Sequence, residues 1–289
     1  MLLISVIFAN AVITLYALPA KESSQTGDEL SSRILYGEYA DITEYPYFAY
    51  ITVCGAAILS DRWLVTAAHC INPMKKAGVS RAWVGGNTTE TSQFYALDYA
   101  VVHPEYISNE NMTINDIALL HLSQPLTFSD TVQPLDLPER EYELNAVHQF
   151  AGHGRDENNL TTKYLMSMKV RTLGVNECMS NLPPHQHKFY PDEVNRVVIC
   201  VKRIEHQPGA CFGDSGSPLV RGNTLVGIAS YIPSTCPESK VNMFANVAPF
   251  VGWIKVITGV GDSEYGNDFQ LEWDFWSWIK SIIYTIIGM

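Results

Sequence analysis

Short apolar runs that end at turn-forming residues constrain the fold of this chain more than any other feature of its sequence. Gly, Pro, Asn or Asp bounds the runs, which is typical of strands in antiparallel sheets. The predicted strands are Tyr47–Val53, Ala56–Leu59, Phe94–Val102, Ile117–Leu122, Tyr164–Leu173 and Thr224–Ile232. Apolar spacing predicts one later helix, over Ala248–Ile257. The sequence therefore predicts a β-rich fold.

The charge balance argues against one class of partner. The chain has 19 basic and 30 acidic residues, which give a formal net charge of −11 at pH 7. No basic patch is available to displace counterions from nucleic acid or to hold an anionic membrane. We therefore expect no nucleic-acid partner, and the charge otherwise indicates only solubility.

A nucleophilic serine is predicted in the run GDSGSPLV, Gly213–Val220. The glycines at 213 and 216 allow a sharp turn that exposes the Ser215 hydroxyl. The same turn directs the N–H groups of Gly213 and Ser215 at one point, where an oxyanion would form. Glycine-flanked serines are also common in ordinary turns, so this run alone leaves a purely structural turn open.

Two further motifs offer the partners that such a serine needs. A serine hydroxyl becomes nucleophilic when an imidazole takes its proton, and a carboxylate must hold that imidazole in the correct tautomer. His69 lies in TAAHC, Thr66–Cys70, and Asp116 lies in NDIALL, Asn115–Leu120. For each residue considered alone there is an alternative, namely that His69 is a packed core histidine and that Asp116 caps a turn.

In the order histidine, aspartate, serine, these three motifs resemble those of the chymotrypsin and trypsin family of serine endopeptidases. The resemblance implies that His69 is general base and acid, that Asp116 orients it, and that Ser215 attacks the carbonyl. Ser230 is the implied second partner of Asp116. The implied fold is all-β, with two packed antiparallel six-stranded β-barrels that divide near Gln133–Arg140 and a C-terminal helix. The 289 residues are enough for this single catalytic unit, and no metal or organic cofactor is implied.

Six cysteines predict three disulfides in a chain routed to an oxidising compartment. Sequence alone allows about 15 pairings. The resemblance selects Cys54 with Cys70, Cys178 with Cys200, and Cys211 with Cys236. No paired cysteine spacing of the zinc type occurs, so we expect no metal site.

The chain begins with a predicted secretory signal, residues 1–20. An uncharged apolar stretch, Leu2–Leu18, is followed by small residues that favour cleavage near Ala20. A membrane anchor is the weaker alternative, because the stretch is shorter than most transmembrane helices. Residues 21–33 are a predicted activation pro-segment, 34–259 the predicted protease domain, and 260–289 a C-terminal extension.

Arg33, followed by Ile34, resembles the zymogen cleavage site of the family. The resemblance implies that a cut after Arg33 frees the Ile34 amine, which then pairs with Asp214. Tyr36 stands where the family more often has glycine, and an incidental exposed arginine is the alternative.

Seven residues are implied to form the substrate pocket, namely Gly209, Ala210, Phe212, Ser230, Tyr231, Ile232 and Asn242. Gly209 and Ala210 supply no charge at the floor, where trypsin-like members carry an aspartate. Ile232 narrows the pocket at one wall, and Phe212 flanks its entrance. Asn242 adds bulk or polarity deeper in the pocket. We therefore predict an elastase-like preference for small or medium apolar residues. A chymotrypsin-like or trypsin-like preference is the alternative.

Three sequons predict N-glycosylation of a secreted chain, at Asn87, Asn111 and Asn159. Asn111 lies five residues before Asp116. A glycan there would border the cleft and restrict large protein substrates.

The C-terminal extension contains a predicted amphipathic helix. Its apolar face consists of Phe275, Trp276, Trp278, Ile279, Ile282, Ile283, Ile286 and Ile287, opposite Ser277, Lys280, Ser281 and Thr285. This face could pack on the enzyme itself, dock on a partner, or lie in a membrane interface, although nearby acidic residues disfavour anionic lipid. It is too short and interrupted to span a bilayer.

The combined prediction is a monomeric, secreted, zymogen-type serine endopeptidase. Its expected partners are protein or peptide substrates, an activating protease and serine protease inhibitors. The alternative from another class is a catalytically silent relative that acts as a binding protein or cofactor.

Overall fold

A computed structural model describes residues 38–78, 80–109, 113–155, 160–181, 194–204, 210–231 and 241–261. The predicted signal, the cleavage site at Arg33 and Ile34, and the C-terminal extension beyond Gly261 lie outside these residues. No helix in the described ranges is long and apolar enough to cross a membrane.

The first half of the described chain closes into a six-stranded antiparallel barrel. The elements along this half of the chain are β1 Glu38–Tyr39, β2 Phe48–Ile51, β3 Cys54–Ile58, β4 Trp63–Thr66, α1 Ile71–Ala77, β5 Arg81–Val84, β6 Gln93–Val102, β7 Ile107–Ser108, β8 Thr113–Ile114 and β9 Ala118–Leu122. The barrel closes in the order β2-β3-β4-β9-β6-β5, while β7 and β8 form a separate hairpin. Buried side chains on its strands, such as Leu64, Leu119 and Leu120, belong to the hydrophobic core.

The second half builds another six-stranded barrel. Its elements are β10 Val147–Gly152, β11 Met166–Leu173, α2 Val175–Ser180, α3 Val194–Val197, β12 Val198–Arg203, β13 Pro218–Arg221, β14 Thr224–Tyr231, β15 Val241–Asn246 and α4 Val251–Thr258. The order β11-β10-β13-β14-β15-β12 closes through pairing of β11 with β12, and β1 adds to β11. Phe150, Ile199 and Phe244 lie in its core.

The predicted all-β double barrel is confirmed. Each predicted strand overlaps an observed one, with ends that differ by up to two residues. The predicted helix appears as a 3₁₀ turn, Ala248–Phe250, followed by α4. The predicted division near Gln133–Arg140 falls in the connection between β9 and β10.

Two of the three implied disulfides lie within the described residues. Cys54 bonds to Cys70, and Cys178 bonds to Cys200. Cys211 is also disulfide-bonded, and Cys236, its implied partner, lies outside the described residues. The first bond fixes the segment that carries His69 to the start of β3.

Candidate active site

His69 and Asp116 meet at one end of the first barrel, where β4 ends and the neighbouring strand β9 begins. His69 lies in the 3₁₀ turn Ala68–Cys70 after β4, and Asp116 lies just before β9. Asp116 is buried, and its Oδ1 accepts a hydrogen bond from the backbone N–H of His69 at 2.9 Å. Its Oδ2 lies 2.7 Å from His69 Nδ1. An ionised carboxylate can only accept here, so in the neutral imidazole Nδ1 carries the proton and Nε2 keeps its lone pair.

Ser230 supplies a third hydrogen bond to Asp116. Its hydroxyl donates to Asp116 Oδ2 at 2.6 Å. The pairing of β14 with β15 shifts register between Ala229 and Tyr231, and such a bulge re-aims the side chain of the extra residue. This bond joins the second barrel to the first at the point where Asp116 is buried.

The turn that carries Ser215 depends on both of its glycines. Gly213 has φ 102° and Gly216 has φ 79°, a backbone region that side-chain-bearing residues rarely adopt. The N–H groups of Asp214, Gly216 and Ser217 donate to backbone carbonyls. Those of Gly213 and Ser215 donate to no group within the described ranges, so both are available to an incoming anion.

Backbone hydrogen bonds tie this turn to β3 of the first barrel and to β14 of the second. The Gly55 N–H donates to the Ser215 carbonyl at 2.7 Å, and the Gly216 N–H donates to Ala229 at 2.7 Å. A Cβ on Gly216 would lie 2.2 Å from Thr66 Oγ1, so only glycine permits this approach. The structure shows no hydrogen bond between the Ser215 and His69 side chains, and such bonds are often long before substrate binds.

Asp214, the residue before Ser215, lies in a cradle of two glycines. Its oxygens accept the N–H groups of Gly154 and Cys211, each at 2.8 Å. A Cβ on Gly152 or on Gly154 would lie 2.1 Å from a carboxylate oxygen. Burial raises the pKa of Asp214 to about 6, against the opposing effect of the two N–H bonds. This cradle was not predicted from the sequence, although the spacing of the two glycines before Arg155 could have indicated it.

The structure brings two of the predicted pocket residues together. Asn242 is buried; its Oδ1 accepts the Ala210 N–H at 3.2 Å and its Nδ2 donates to the Ala210 carbonyl at 3.3 Å. Phe212 is exposed, and Tyr231 is half-buried at the end of β14. Gly209 and Ile232 lie outside the described residues.

The only group of potential metal ligands in the described ranges consists of Cys54, His69 and Cys70. Both sulfur atoms are used in the Cys54–Cys70 disulfide. They are therefore not thiolates, and the group does not have the chemistry of a metal site.

Of the three sequons, only Asn87 lies in the described part of the chain. It is half-buried, and its Oδ1 accepts the Ile42 N–H at 2.7 Å. Asn111 and Asn159 lie outside the described residues.

Comparison with known proteins gives one consistent result. The family model described as Trypsin matches residues 34–254. Trypsin 5G1 of Aedes aegypti is 30% identical over 246 residues, which cover 80% of this chain and 86% of that protein. CLIP domain-containing serine protease B4 of Anopheles gambiae is 27% identical over 267 residues, with 81% and 72% covered. Neuropsin, a serine protease expressed in the limbic system of mouse brain, has a similar fold, with a TM-score of 0.67 at 23% identity. That likeness covers 76% of this chain and 98% of neuropsin.

Proposed function

The chain belongs to the trypsin family of serine proteases, and from this premise we propose that Ser215, His69 and Asp116 are the catalytic triad of a secreted serine endopeptidase. The observation that carries the proposal is the buried Asp116 carboxylate, which binds both the backbone and the ring of His69. This arrangement leaves Nε2 as the only basic nitrogen of the ring.

The proposed reaction proceeds through an acyl-enzyme. Ser215 Oγ attacks the scissile carbonyl carbon while His69 Nε2 takes the hydroxyl proton. The Gly213 and Ser215 N–H groups bind the negative oxygen of the tetrahedral intermediate. His69 then gives the proton to the leaving amine. A water molecule, deprotonated in the same way, hydrolyses the ester and restores Ser215.

We propose that cleavage after Arg33 activates the enzyme. In the described part of the chain no cation contacts the Asp214 carboxylate, and its raised pKa reflects an uncompensated buried charge. A free Ile34 amine would supply that cation. The pair would hold the Gly213 N–H in place, because Asp214 directly follows Gly213 in the turn.

A preference for small or medium apolar residues before the scissile bond is supported by the pocket residues. Asn242 has a neutral amide, which offers no charge to a substrate cation, and both polar ends of this side chain bond to the Ala210 backbone. Gly209 offers no carboxylate either, and burying a cation without a partner is strongly unfavourable. In this proposal Ile232 narrows the pocket.

The remaining proposals concern processing. Residues 1–20 are proposed to direct secretion and residues 21–33 to be removed on activation. Asn87, Asn111 and Asn159 are proposed glycosylation sites, and an activating protease and protease inhibitors are proposed partners. A catalytically silent relative is not favoured, since all three triad residue types are present.

Covalent labelling tests the triad directly. The chain is cut after Arg33, treated with a fluorophosphonate probe, and the labelled peptide is identified by mass spectrometry. We expect label on Ser215, and a loss of turnover by about 10⁶-fold in Ser215→Ala. Ser129→Ala, at an exposed serine, is the control and should behave like the unchanged enzyme. Label at another residue, or undiminished hydrolysis by Ser215→Ala, would contradict the proposal.

A further inference from the structure

Ser217 carries a buried hydroxyl that the triad does not use. The residue is 0% exposed, and its Oγ has no hydrogen-bond partner in the described part of the chain. Buried hydroxyls are normally hydrogen-bonded, because burying one without a partner is unfavourable. The unused Ser217 hydroxyl therefore indicates a hydrogen bond that the side chain can form in another orientation.

Two glycines make room for this hydroxyl between the barrels. Gly55 lies in β3 of the first barrel, and Gly152 lies in β10 of the second. A Cβ on Gly55 would lie 2.1 Å from Ser217 Oγ, and a Cβ on Gly152 would lie 3.2 Å from it. A side chain at either glycine would compete for the space that the hydroxyl occupies.

The Asp214 carboxylate lies in the same space. A Cβ on Gly152 would lie 2.1 Å from Asp214 Oδ1, so this oxygen and Ser217 Oγ both lie within 3.2 Å of one point. Each carboxylate oxygen accepts one backbone N–H, whereas an ionised carboxylate can accept about four hydrogen bonds. The carboxylate has spare acceptor capacity, and the hydroxyl has an unused donor.

We propose that Ser217 is a positioning residue that donates its hydroxyl hydrogen to the Asp214 carboxylate. The bond forms after rotation about the Ser217 Cα–Cβ bond, or through one bridging water molecule. Such a bond is strongest when the carboxylate is ionised. The Ser217 N–H already donates to the Asp214 carbonyl at 3.0 Å. A bond from the Ser217 side chain to the Asp214 carboxylate would hold the same turn by a second contact. It would therefore help to fix the position of Ser215.

Other titratable groups lie near Asp214, and the effect of their titration must be distinguished from that of the Asp214 carboxyl. His153 and Arg155 flank Gly154, and Tyr50 of β2 contacts the His153 ring at 5.3 Å. His69 and Asp116 bond to each other. Burial lowers the pKa of His153, which favours its neutral form. Within the described ranges, only backbone N–H groups bond to the Asp214 carboxylate.

A double-mutant cycle in the uncut chain isolates the proposed bond. All chains carry Ser215→Ala to prevent self-cleavage, and Tm is measured at pH 4 and pH 7.5. We expect Ser217→Ala to lower Tm by about 2–4 °C at pH 7.5 and to lower it little, or to raise it, at pH 4. In the Asp214→Asn background the effect of Ser217→Ala should be the same at both pH values.

Tyr47→Phe is the matched control, because the Tyr47 hydroxyl is also buried without a partner in the described residues. Its effect on Tm should not differ between the two pH values. If Ser217→Ala does not fold, Ser217→Gly removes the same donor and should give the same pH dependence. A Ser217 effect that is equal at both pH values, or that keeps its pH dependence with Asp214→Asn, would overturn the proposal. The cycle uses inactive chains, so its outcome is independent of the proposed catalytic triad.

Discussion

Replacement of Asp214 by Asn should stabilise the uncut chain at neutral pH far more than at acid pH. Burial raises the pKa of Asp214 from 3.8 to about 6. When the folded pKa of a carboxyl lies above its unfolded pKa, its contribution to stability is fully present below the unfolded value. That contribution is lost as the pH rises through the folded value. Ionised Asp214 therefore destabilises the uncut chain above about pH 6.

The pKa shift sets the size of this effect. Ionisation of Asp214 reduces the free energy of unfolding by about 3 kcal/mol at pH 7.5 and by about 0.5 kcal/mol at pH 4. Asn removes this cost but loses one of the two acceptors for the Gly154 and Cys211 N–H groups. The lost acceptor matters equally at both pH values. The quantity to measure is thus the change in the free energy of unfolding caused by Asp214→Asn, compared between pH 7.5 and pH 4. We expect Asn to be more favourable at pH 7.5 by about 2.5 kcal/mol.

Urea unfolding of the Ser215→Ala chain, with and without Asp214→Asn, measures this difference. Asp61→Asn, at an exposed carboxyl, controls for the general effect of removing one charge and should show little pH dependence. An Asp214→Asn effect of equal size at pH 4 and pH 7.5 would refute the reasoning. It would show that the Asp214 carboxyl is not held in an environment that disfavours its charge.

Three further predictions concern activation, specificity and the C-terminal extension. Arg33→Gln should yield a folded but inactive precursor, as no free Ile34 amine can form; full peptidase activity of the uncut chain would disprove this. In a peptide-library assay, peptides with Ala, Val or Leu before the scissile bond should be cleaved faster than those with Lys or Arg, since Gly209 supplies no carboxylate. A strong preference for Arg would show that the pocket residues are wrongly assigned. Deletion of Asp262–Met289 should leave peptide hydrolysis within a few-fold and change binding to a partner protein or membrane in a co-sedimentation assay. An unfolded or inactive truncated enzyme would instead show that the extension belongs to the core.

Several features of the site could be predicted from local sequence because local chemistry imposes them. Gly213 and Gly216 adopt positive φ values, and the sharp turn around Ser215 requires residues without a Cβ. The β-rich fold follows from short apolar runs between turn residues. The disulfide pairing came from the family resemblance, since spacing alone left many pairings open.

Other features depend on contacts between distant segments. Ser230 bonds to Asp116 across 114 residues of sequence, and the Asp214 cradle needs Gly154, which lies 60 residues earlier. Ser217 lies two residues from Ser215, yet no role for it was predicted from the sequence.

The sequence by itself determined which chemical groups are available: a glycine-flanked serine, a histidine, an aspartate and cysteines that can bridge. Only the tertiary structure decided that Asp116 is buried against His69, that Asp214 lies between glycines, and that the Ser217 hydroxyl faces the same space. The physical reason is that strand periodicity and turn chemistry act over a few residues. Burial, hydrogen-bond satisfaction and pKa depend on which side chains meet when the two barrels pack together.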